Sequence, residues 1–460
     1  MKNFAQKWMR IGIAAAMLGA VACGDDDGPT PGTDSGVDGG MTTMMDGDVP
    51  MPDTGMPGTE VMVDADITTD TTWTSDNVYV LTGQIFVRDG ATLTIQPGTE
   101  IHGSADNTVL IVTATGSIDA QGTATNPIVF TSHLDVGNRA PSDWGGVVLL
   151  GRAPINVPGG TNTVEGLPPD AALGEYGGTD AAHDCGTLRY VRIEWAGFEF
   201  AMDKEFNGLT VAGCGSDTVL EHIQVHGSSD DGIEFFGGSA NLKHAVISRC
   251  QDDSLDTDEG YAGNIQFLVV MQDDTGDEGW EADNLESDNG ATPRSAARVY
   301  NATFIGGAAD GQKGIRWRRG TAGTFANSIL TNFGDDCIEV NGNASIEQAN
   351  SGGLLATNSL FSECGGGTVG FVFEPSETDP ASFTGDWDAL NTLDMAPMLP
   401  ALSLTAPNFV PPAASPAATL DTADLPTGVS FFEAADYLGA FEPGGTDWSA
   451  GWTSYPTPAE

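Results

Sequence analysis

Short runs of apolar residues recur through most of the chain and are separated by glycine, proline, aspartate and asparagine. They are clear at residues 77–81, 84–87, 91–95 and 109–112, which are rich in valine, isoleucine, leucine and threonine. Runs of this length between turn-forming residues predict short β-strands in an all-β fold. Residues 144–151 (WGGVVLLG) are apolar throughout, which is expected of a strand that is covered on both faces.

One phrase is repeated three times in the middle of the chain. Residues 230–235, 252–257 and 277–282 read DDGIEF, DDSLDT and DEGWEA, and the repeats follow at steps of 22 and 25 residues. Each copy places an acid pair before an alternation of apolar and polar residues. Self-similarity at this period predicts a solenoid, in which each repeat is one turn of a coil stacked on the turn before.

The alternation within each copy assigns its side chains to two faces. It places Ile233, Leu255 and Trp280 toward the core and the acid that follows each of them toward the outside. Neighbouring turns of a parallel coil lie about 4.8 Å apart, so the stacked carboxylates repel one another unless their pKa rises, a basic group intervenes, or a hard cation such as Ca²⁺ binds. The candidate metal ligands are Asp231, Glu234, Asp253, Asp256, Glu278 and Glu281.

The next copy replaces the acid with a base. Residues 312–319 read QKGIRWRR and align Arg316 with the acids, between Glu281 and Glu339. This order predicts a ladder of ion pairs. The alternative is catalytic: carboxylates that hold Ca²⁺ beside Arg316 or Lys313 resemble calcium-dependent polysaccharide lyases, in which the basic residue removes a proton.

A second column supports the same repeat. Residues 188–193, 220–225, 242–247 and 265–270 are versions of one strand, and later copies follow them. One position of this strand is occupied in successive copies by Tyr190, His222, His244, Phe267, Asn301, Asn327 and Asn358. We expect stacked rings and then an asparagine ladder that connects adjacent turns. The ladder accounts for the histidines without a zinc site.

The amino-terminal residues resemble a bacterial lipoprotein signal. Basic residues precede a short apolar segment, which ends in Ala20-Val21-Ala22-Cys23. This sequence resembles a lipobox, and Cys23 is the predicted lipidation site. The predicted organisation is a signal peptide at 1–22, a flexible acidic tether at 23–60, a β-helix at 61–375 and an irregular carboxyl-terminal cap at 376–460 over the last turn. Residues 154–182 have little periodicity and are expected to form a long loop over one face of the coil.

Charge and cysteine usage limit the partners and the location. The chain has 65 acidic and 17 basic residues and a formal net charge of −48, which excludes a basic footprint for nucleic acid. The location expected from the lipobox is the bacterial cell envelope, with the chain lipid-anchored at the outer membrane or cell surface. The six cysteines suit an oxidising compartment. Disulfides are predicted between turns, Cys185 with Cys214 and Cys337 with Cys364.

Several phrases carry a resemblance to known proteins. Residues 90–99 are similar to the first turns of secreted β-helices, and 144–146, 186–192, 230–238 and 446–452 resemble phrases of a family of bacterial surface lipoproteins and secreted proteins. The resemblance implies a right-handed parallel β-helix of the pectin-lyase-like superfamily and a surface location, and it implies no particular activity.

A second resemblance is local. Residues 334–338 (GDDCI) resemble the aspartate pair of polygalacturonase-type hydrolases, in which aspartates act as acid and base. The chain lacks the other motifs of that family, and Asp335-Asp336 is also a later copy of the repeated acid pair. The function expected from the sequence is a lipid-anchored surface binding or adhesion module for polysaccharide or another cell-surface component. A polysaccharide lyase is the alternative, ahead of a hydrolase.

Overall fold

The computed structural model describes residues 58–167, 172–201, 204–365 and 369–459. The predicted signal peptide, Cys23 and residues 23–57 of the predicted tether lie outside the described residues. The described part is built almost entirely of strands, with one α-helix, α1 (Asn343–Ser351), and short 3-10 helices at Ala172–Gly174, Asp388–Leu390 and Pro416–Ala418. None of its helices has the length and apolar character to cross a bilayer.

The strands are short and follow one another closely along the chain. The first ten are β1 (Thr59–Val63), β2 (Thr71–Trp73), β3 (Asn77–Leu81), β4 (Gln84–Val87), β5 (Thr92–Ile95), β6 (Glu100–Gly103), β7 (Val109–Val112), β8 (Ser117–Gln121), β9 (Ile128–Ser132) and β10 (Gly146–Leu150). The next eleven are β11 (Asn162–Thr163), β12 (Glu175–Tyr176), β13 (Gly186–Glu194), β14 (Phe198–Ala201), β15 (Lys204–Phe206), β16 (Leu209–Ala212), β17 (Val219–His226), β18 (Ile233–Phe236), β19 (Asn241–Ser248), β20 (Leu255–Asp258) and β21 (Asn264–Met271). The remainder are β22 (Glu278–Ala282), β23 (Ala296–Tyr300), β24 (Thr303–Ile305), β25 (Lys313–Trp317), β26 (Ala322–Ala326), β27 (Ile329–Phe333), β28 (Ile338–Asn341), β29 (Leu354–Thr357), β30 (Leu360–Cys364), β31 (Phe371–Glu374) and β32 (Thr392–Leu393).

Parallel pairing joins each turn to the next and produces a right-handed parallel β-helix. One face is a ten-stranded sheet in the order β4, β7, β10, β16, β18, β20, β22, β25, β28, β31. The other faces form one eighteen-stranded sheet that bends along its length, because β13 pairs with β8 through its first half and with β9 through its second. The all-β solenoid predicted from the sequence is therefore confirmed.

The core is a stack of apolar side chains inside the coil. Ile233 lies opposite Leu255, and Leu255 opposite Trp280, and all three are fully buried, as the alternation predicts. Ile315 and Ile338 continue the stack. Each turn buries little on its own, so the core gains its stability from contacts between turns.

The second column lies at the bend of the eighteen-stranded sheet. All seven of its residues have a left-handed backbone, with φ between 47° at Asn358 and 60° at Phe267. The predicted ring stack is confirmed, with centroid distances of 4.2 Å for Tyr190–His222, 4.5 Å for His222–His244 and 4.9 Å for His244–Phe267. Stacking compensates for the unfavourable φ of these bulky residues.

The asparagines of this column bond differently from the expectation. They reach the carboxyl-terminal segment, since the side-chain amides of Asn301, Asn327 and Asn358 donate to the carbonyl oxygens of Tyr437, Ala423 and Asp421 at 2.9, 3.2 and 3.1 Å. A direct ladder from one asparagine to the next is therefore not their main contact. Asparagine suits the left-handed bend, and its amide is free to bond outward.

The carboxyl-terminal segment covers more than the last turn. Phe383 stacks on Phe373 of β31, in the last strand of the ten-stranded sheet, with a centroid distance of 4.0 Å. The rest returns along the outside: Trp452 contacts Tyr190 edge-on at 5.8 Å, and the Ala459 N–H donates to the Arg139 carbonyl at 2.8 Å. Outward apolar side chains of the coil, including Val246, Val269 and Met271, are buried under this segment. The segment therefore extends beyond the predicted cap on the last turn, because these outward side chains also need a cover.

Both predicted disulfides are confirmed. Cys185 bonds to Cys214 and Cys337 to Cys364, with sequence separations of 29 and 27 residues. Cys250 is a buried free thiol. Each disulfide joins positions about one turn apart, so each limits the separation of neighbouring turns.

Candidate functional site

A column of charged side chains runs along the outer surface of the ten-stranded sheet. Glu234, Asp256, Glu281, Arg316 and Glu339 occupy equivalent positions in five successive strands from β18 to β28, and we call them the acid column. The position of Arg316 between Glu281 and Glu339 is as the sequence predicts. Because the strands are parallel and in register, these side chains lie on consecutive turns about 4.8 Å apart.

A second row of acids lies at the turn that enters each strand. Asp231, Asp253 and Glu278 are all more than nine-tenths buried. The Asp253 N–H donates to Asp231 Oδ1 at 2.9 Å, and the Glu278 N–H donates to Asp253 Oδ1 at 2.8 Å. One oxygen of each aspartate thus connects adjacent turns.

The later turns carry their own positive charge. Arg316 lies 3.3 Å from Glu278, 3.6 Å from Glu281 and 3.3 Å from Glu339. Arg318 also pairs with Glu281, and its Nη2 lies 2.9 Å from Asp283. This end of the column is an ion-pair network, which provides the buried carboxylates with partners.

The two residues considered as a catalytic base are held in their charged forms. Burial alone would lower the pKa of Arg316, but Glu278 and Glu339 outweigh it and raise the pKa above the normal value. Lys313 is similar: burial opposes its charge, yet bonds to Asp335 at 2.5 Å and Asp336 at 3.4 Å raise its pKa. A general base needs a lowered pKa, so this arrangement favours a structural role.

Contacts with Lys313 also define the surroundings of Asp335 and Asp336, the aspartate pair that resembles a hydrolase motif. Lys313 Nζ lies between Asp335 and Asp336 and also 3.2 Å from Glu339. The pair therefore lies beside Glu339 of the acid column and neutralises the charge of Lys313. No basic group of this kind is expected between the acid and the base of an inverting hydrolase, which need space for a water molecule.

The earlier turns have fewer basic neighbours. Among the side chains that the structure describes, no lysine or arginine forms an ion pair with Asp231, Glu234, Asp253 or Asp256, although Arg318 and Arg319 act on Asp256 at longer range. Burial raises the pKa of Asp231, Glu234 and Asp253 well above the usual range, and neighbouring acids raise it further. Burial and Asp258 raise the pKa of Asp256 to about 7. We call this end the acid-only half.

The geometry of the acid-only half fits a cation. Oxygens of Asp231, Glu234 and Asp256 lie within 4.8 Å of one another, as do oxygens of Asp253, Asp256 and Glu281. An ion with Ca–O distances of about 2.3–2.6 Å bridges oxygens at this separation, and an all-carboxylate donor set suits Ca²⁺. Asp256 belongs to both groups. Of the six predicted ligands, Glu278 is the one outside these groups, and it pairs with Arg316 instead.

A third group contains the stacked histidines but suits a metal poorly. Ligand atoms of Glu221, His222 and His244 also lie within 4.8 Å of one another. The two rings stack with an interplanar angle of only 18°, so their in-plane lone pairs run nearly parallel and do not converge on one ion. Burial lowers the pKa of His222, and it lowers that of His244 to about 3. Both rings remain neutral stacking partners, as the sequence predicts.

In the long loop predicted at 154–182, the described residues 154–167 and 172–182 lie over the ten-stranded sheet beside the acid-only half. Asn156 donates to the Asn284 side chain at 3.0 Å, and the Tyr176 hydroxyl donates to Glu259 at 2.8 Å. Leu167 and Phe236 pack in the same cluster, so the loop forms a wall next to the column. The loop thus bounds one side of the acid column.

Sequence reasoning missed several members of this surface. Arg318 and Asp283 each follow a column residue by two positions, so alternation could have placed them on the same face. Asp230 and Asp252 form another close carboxylate group with Asp231. Tyr176 and Glu259 are 83 residues apart in the sequence, and no local pattern connects them.

Comparison with known proteins assigns the family. The sequence profile of the pectate-lyase-like beta helix domain matches residues 65–371, well over half of the chain. The enzymatically active domain of bacteriophage CBA120 tailspike protein 2 is a structural neighbour with 14% identity and a TM-score of 0.23, and the match covers 63% of this chain and 42% of that one. No curated protein sequence matches the chain. With the parallel coil described above, the profile match shows that the chain belongs to the pectate-lyase-like beta-helix domain family.

Proposed function

We propose that the chain binds polysaccharide along the outer face of the ten-stranded sheet, with Ca²⁺ held by the acid-only half. The observation that carries this proposal is the stack of buried carboxylates at this end of the column, whose oxygens lie at the separation that Ca²⁺ bridges. Membership of a pectate-lyase-like family favours a carbohydrate ligand. Side chains that project from consecutive turns form an extended surface, which suits a polymer.

The charge of the surface specifies how a polymer could bind. A net charge of −48 repels an acidic glycan, whereas cations on the acid column would attract its carboxylates and complete their own coordination. Binding of acidic polysaccharide should therefore depend on Ca²⁺. In this proposal Arg316 and Lys313 position the neighbouring acids and do not act as bases, so binding proceeds without cleavage.

Polysaccharide binding is tested by affinity electrophoresis of the full chain in gels that contain polygalacturonate, alginate, hyaluronan or neutral dextran. We expect retardation by at least one acidic polymer in millimolar Ca²⁺ and none when a chelator replaces it. Retardation by no polymer, or equal retardation with chelator, would contradict the proposal.

We also propose that the chain acts at the bacterial surface, anchored through lipid on Cys23. The lipobox-like sequence before Cys23 and the acidic, proline-rich stretch after it support this proposal. The two disulfides are in keeping with an oxidising compartment.

Loss of the lipid anchor should change the fraction of the cell in which the protein is found. In a bacterium that processes lipoproteins, the wild-type chain should sediment with membranes and incorporate labelled palmitate. Cys23→Ala should do neither, because the thiol that accepts the lipid is lost. Cys250→Ala is the matched control, since that thiol is buried within the fold, and it should behave as wild type. Equal membrane association of Cys23→Ala and wild type would refute the anchor.

A further inference from the structure

A small cavity opens on the same face as the acid column. It has a volume of about 270 Å³, and its lining includes Asn162, Val164, Leu167, Tyr176, Phe236 and Glu259. The size is near the lower limit of pockets that take small molecules, so it suits one unit of a polymer. Its walls come from the long loop, and its floor comes from the ends of β18 and β20.

The cavity combines an apolar wall with a fixed set of polar groups. Val164, Leu167 and the half-exposed ring of Phe236 supply the wall. The Glu259 carboxylate is held in place, because the Tyr176 hydroxyl donates to its Oε2 at 2.8 Å and the Asn162 amide donates to its Oε1 at 2.8 Å. A sugar ring is complementary to both parts of the cavity. Its C–H face packs on an aromatic ring, and its hydroxyls donate to carboxylate oxygens.

The charge of the cavity selects among sugars. Glu259 lines it, and none of the lining residues that the structure describes is a lysine, arginine or histidine. A uronate carboxylate in this space would face the Glu259 side chain and find no positive group among these residues, which disfavours its burial. A neutral ring has no such penalty.

The cavity is adjacent to the acid column. Phe236 follows Glu234 by two residues on β18, so both project outward about 7 Å apart. In the next turn Asp258 lies opposite Phe236, and Asp256 lies opposite Glu234. One polymer could therefore reach the column and the cavity with neighbouring sugars.

We infer that the cavity is a subsite for an uncharged sugar ring, so that the preferred ligand is a polysaccharide in which neutral and acidic sugars are neighbours. This inference rests on the proposed function and deepens it. The acid column accounts for the acidic units through Ca²⁺, and the cavity accounts for the neutral unit through Phe236 and Glu259.

Calorimetry of the full chain in millimolar Ca²⁺ tests the inference with two kinds of probe. Oligogalacturonate contains acidic sugars alone, whereas oligosaccharides of rhamnogalacturonan and hyaluronan alternate acidic and neutral sugars. We expect at least one mixed probe to bind more tightly than oligogalacturonate of equal length. Phe236→Ala should weaken that binding roughly tenfold, the size of one lost ring contact, and leave oligogalacturonate affinity unchanged.

Glu259→Gln is the second variant, because its amide cannot accept from both Tyr176 and Asn162, and it should also weaken the mixed probe selectively. Glu347→Gln, at an exposed position on α1, is the control and should bind as wild type. If oligogalacturonate binds in Ca²⁺ but no mixed probe binds more tightly, or if Phe236→Ala weakens both kinds equally, the subsite is refuted and the proposed function stands. If no probe binds, both fail.

Discussion

Replacing Arg316 with methionine should destabilise the protein by about 1–3 kcal/mol, the cost of leaving buried acceptors without a donor. The Arg316 side chain itself is 31% exposed, so the loss should stay below that of a fully buried ion pair. Arg316 contacts three carboxylates whose side chains are little exposed: 6% for Glu278, 12% for Glu281 and 3% for Glu339. Methionine keeps an unbranched apolar stem but removes every donor. The carboxylates then remain buried with fewer partners, which is the unfavourable state.

Urea unfolding at neutral pH with chelator measures this loss. Arg316→Lys is the matched control and should lose less, because it retains the charge, although a single ammonium group cannot reproduce the fork of a guanidinium. Arg298→Met, on β23 outside the acid column, controls for the removal of an arginine as such. A loss below about 1 kcal/mol for Arg316→Met would place the pairs among exposed salt bridges of little consequence and contradict the network.

The same proteins address the lyase alternative. A β-eliminating lyase creates an unsaturated sugar that absorbs ultraviolet light, and its base would be Arg316 or Lys313. Since the pKa of both is raised, we expect no rise in absorbance when the wild-type chain is incubated with acidic polysaccharides. A rise with wild type that Arg316→Lys abolishes would establish catalysis in place of simple binding.

Asp256→Asn should reverse the usual effect of removing a charge and stabilise the calcium-free protein at alkaline pH. The pKa of Asp256 is raised to about 7, mainly by burial and then by Asp258. The folded state therefore holds a proton that the unfolded state releases at lower pH, so this residue lowers the free energy of unfolding as pH rises toward 7. Relative to the variant, wild type should lose about 2 kcal/mol between pH 5.5 and 8 in chelator.

Comparison with the variant isolates this residue from other titrating groups. Burial lowers the pKa of His226 to about 4, so that histidine acts in the opposite direction and costs stability as pH falls below its unfolded value. It is present in both proteins, and its contribution cancels. Asp217→Asn, at an exposed turn position, is the matched control and should follow wild type. Parallel pH profiles for wild type and Asp256→Asn would contradict the assignment.

Calcium binding should also offset the free-energy cost of burying the charged Asp256 carboxylate. Because Asp256 belongs to both carboxylate groups, Ca²⁺ at one hundred times its dissociation constant should stabilise wild type by about 2.7 kcal/mol and Asp256→Asn by clearly less. Thermal unfolding at pH 8 with Ca²⁺ or chelator measures both. If calcium leaves the wild-type melting temperature unchanged, the acid-only half is not a calcium site.

The fold and the order of the acid column follow from the sequence because a solenoid repeats its contacts. Once the steps from Asp230 to Asp252 and Asp277 are aligned, register places Arg316 beside Glu281 without any knowledge of the fold's details. The disulfides follow for the same reason, since their cysteines lie about one turn apart. Periodicity predicts what each turn shares with its neighbours.

Features formed between distant segments could not be predicted in this way. The return of the carboxyl-terminal segment depends on single contacts, such as the 2.8 Å hydrogen bond between His226 and the Pro456 carbonyl. The sequence did contain one indication that a segment covers this face. Residues 264–271 are mostly apolar, and both faces of such a strand need a cover. The cavity at Glu259 depends on a loop with no period, so the sequence contained no equivalent signal.

Variants of the acid column show directly whether polysaccharide binds at this column. The measurement is calorimetric titration of hyaluronan or polygalacturonate, whichever retards the wild-type chain, into wild type, the double variant Glu234→Gln/Asp256→Asn and the control Glu347→Gln in millimolar Ca²⁺. We expect saturable binding by wild type and the control, and at least tenfold weaker binding by the double variant, which lacks carboxylate ligands for Ca²⁺. Equal affinity of all three proteins would contradict it.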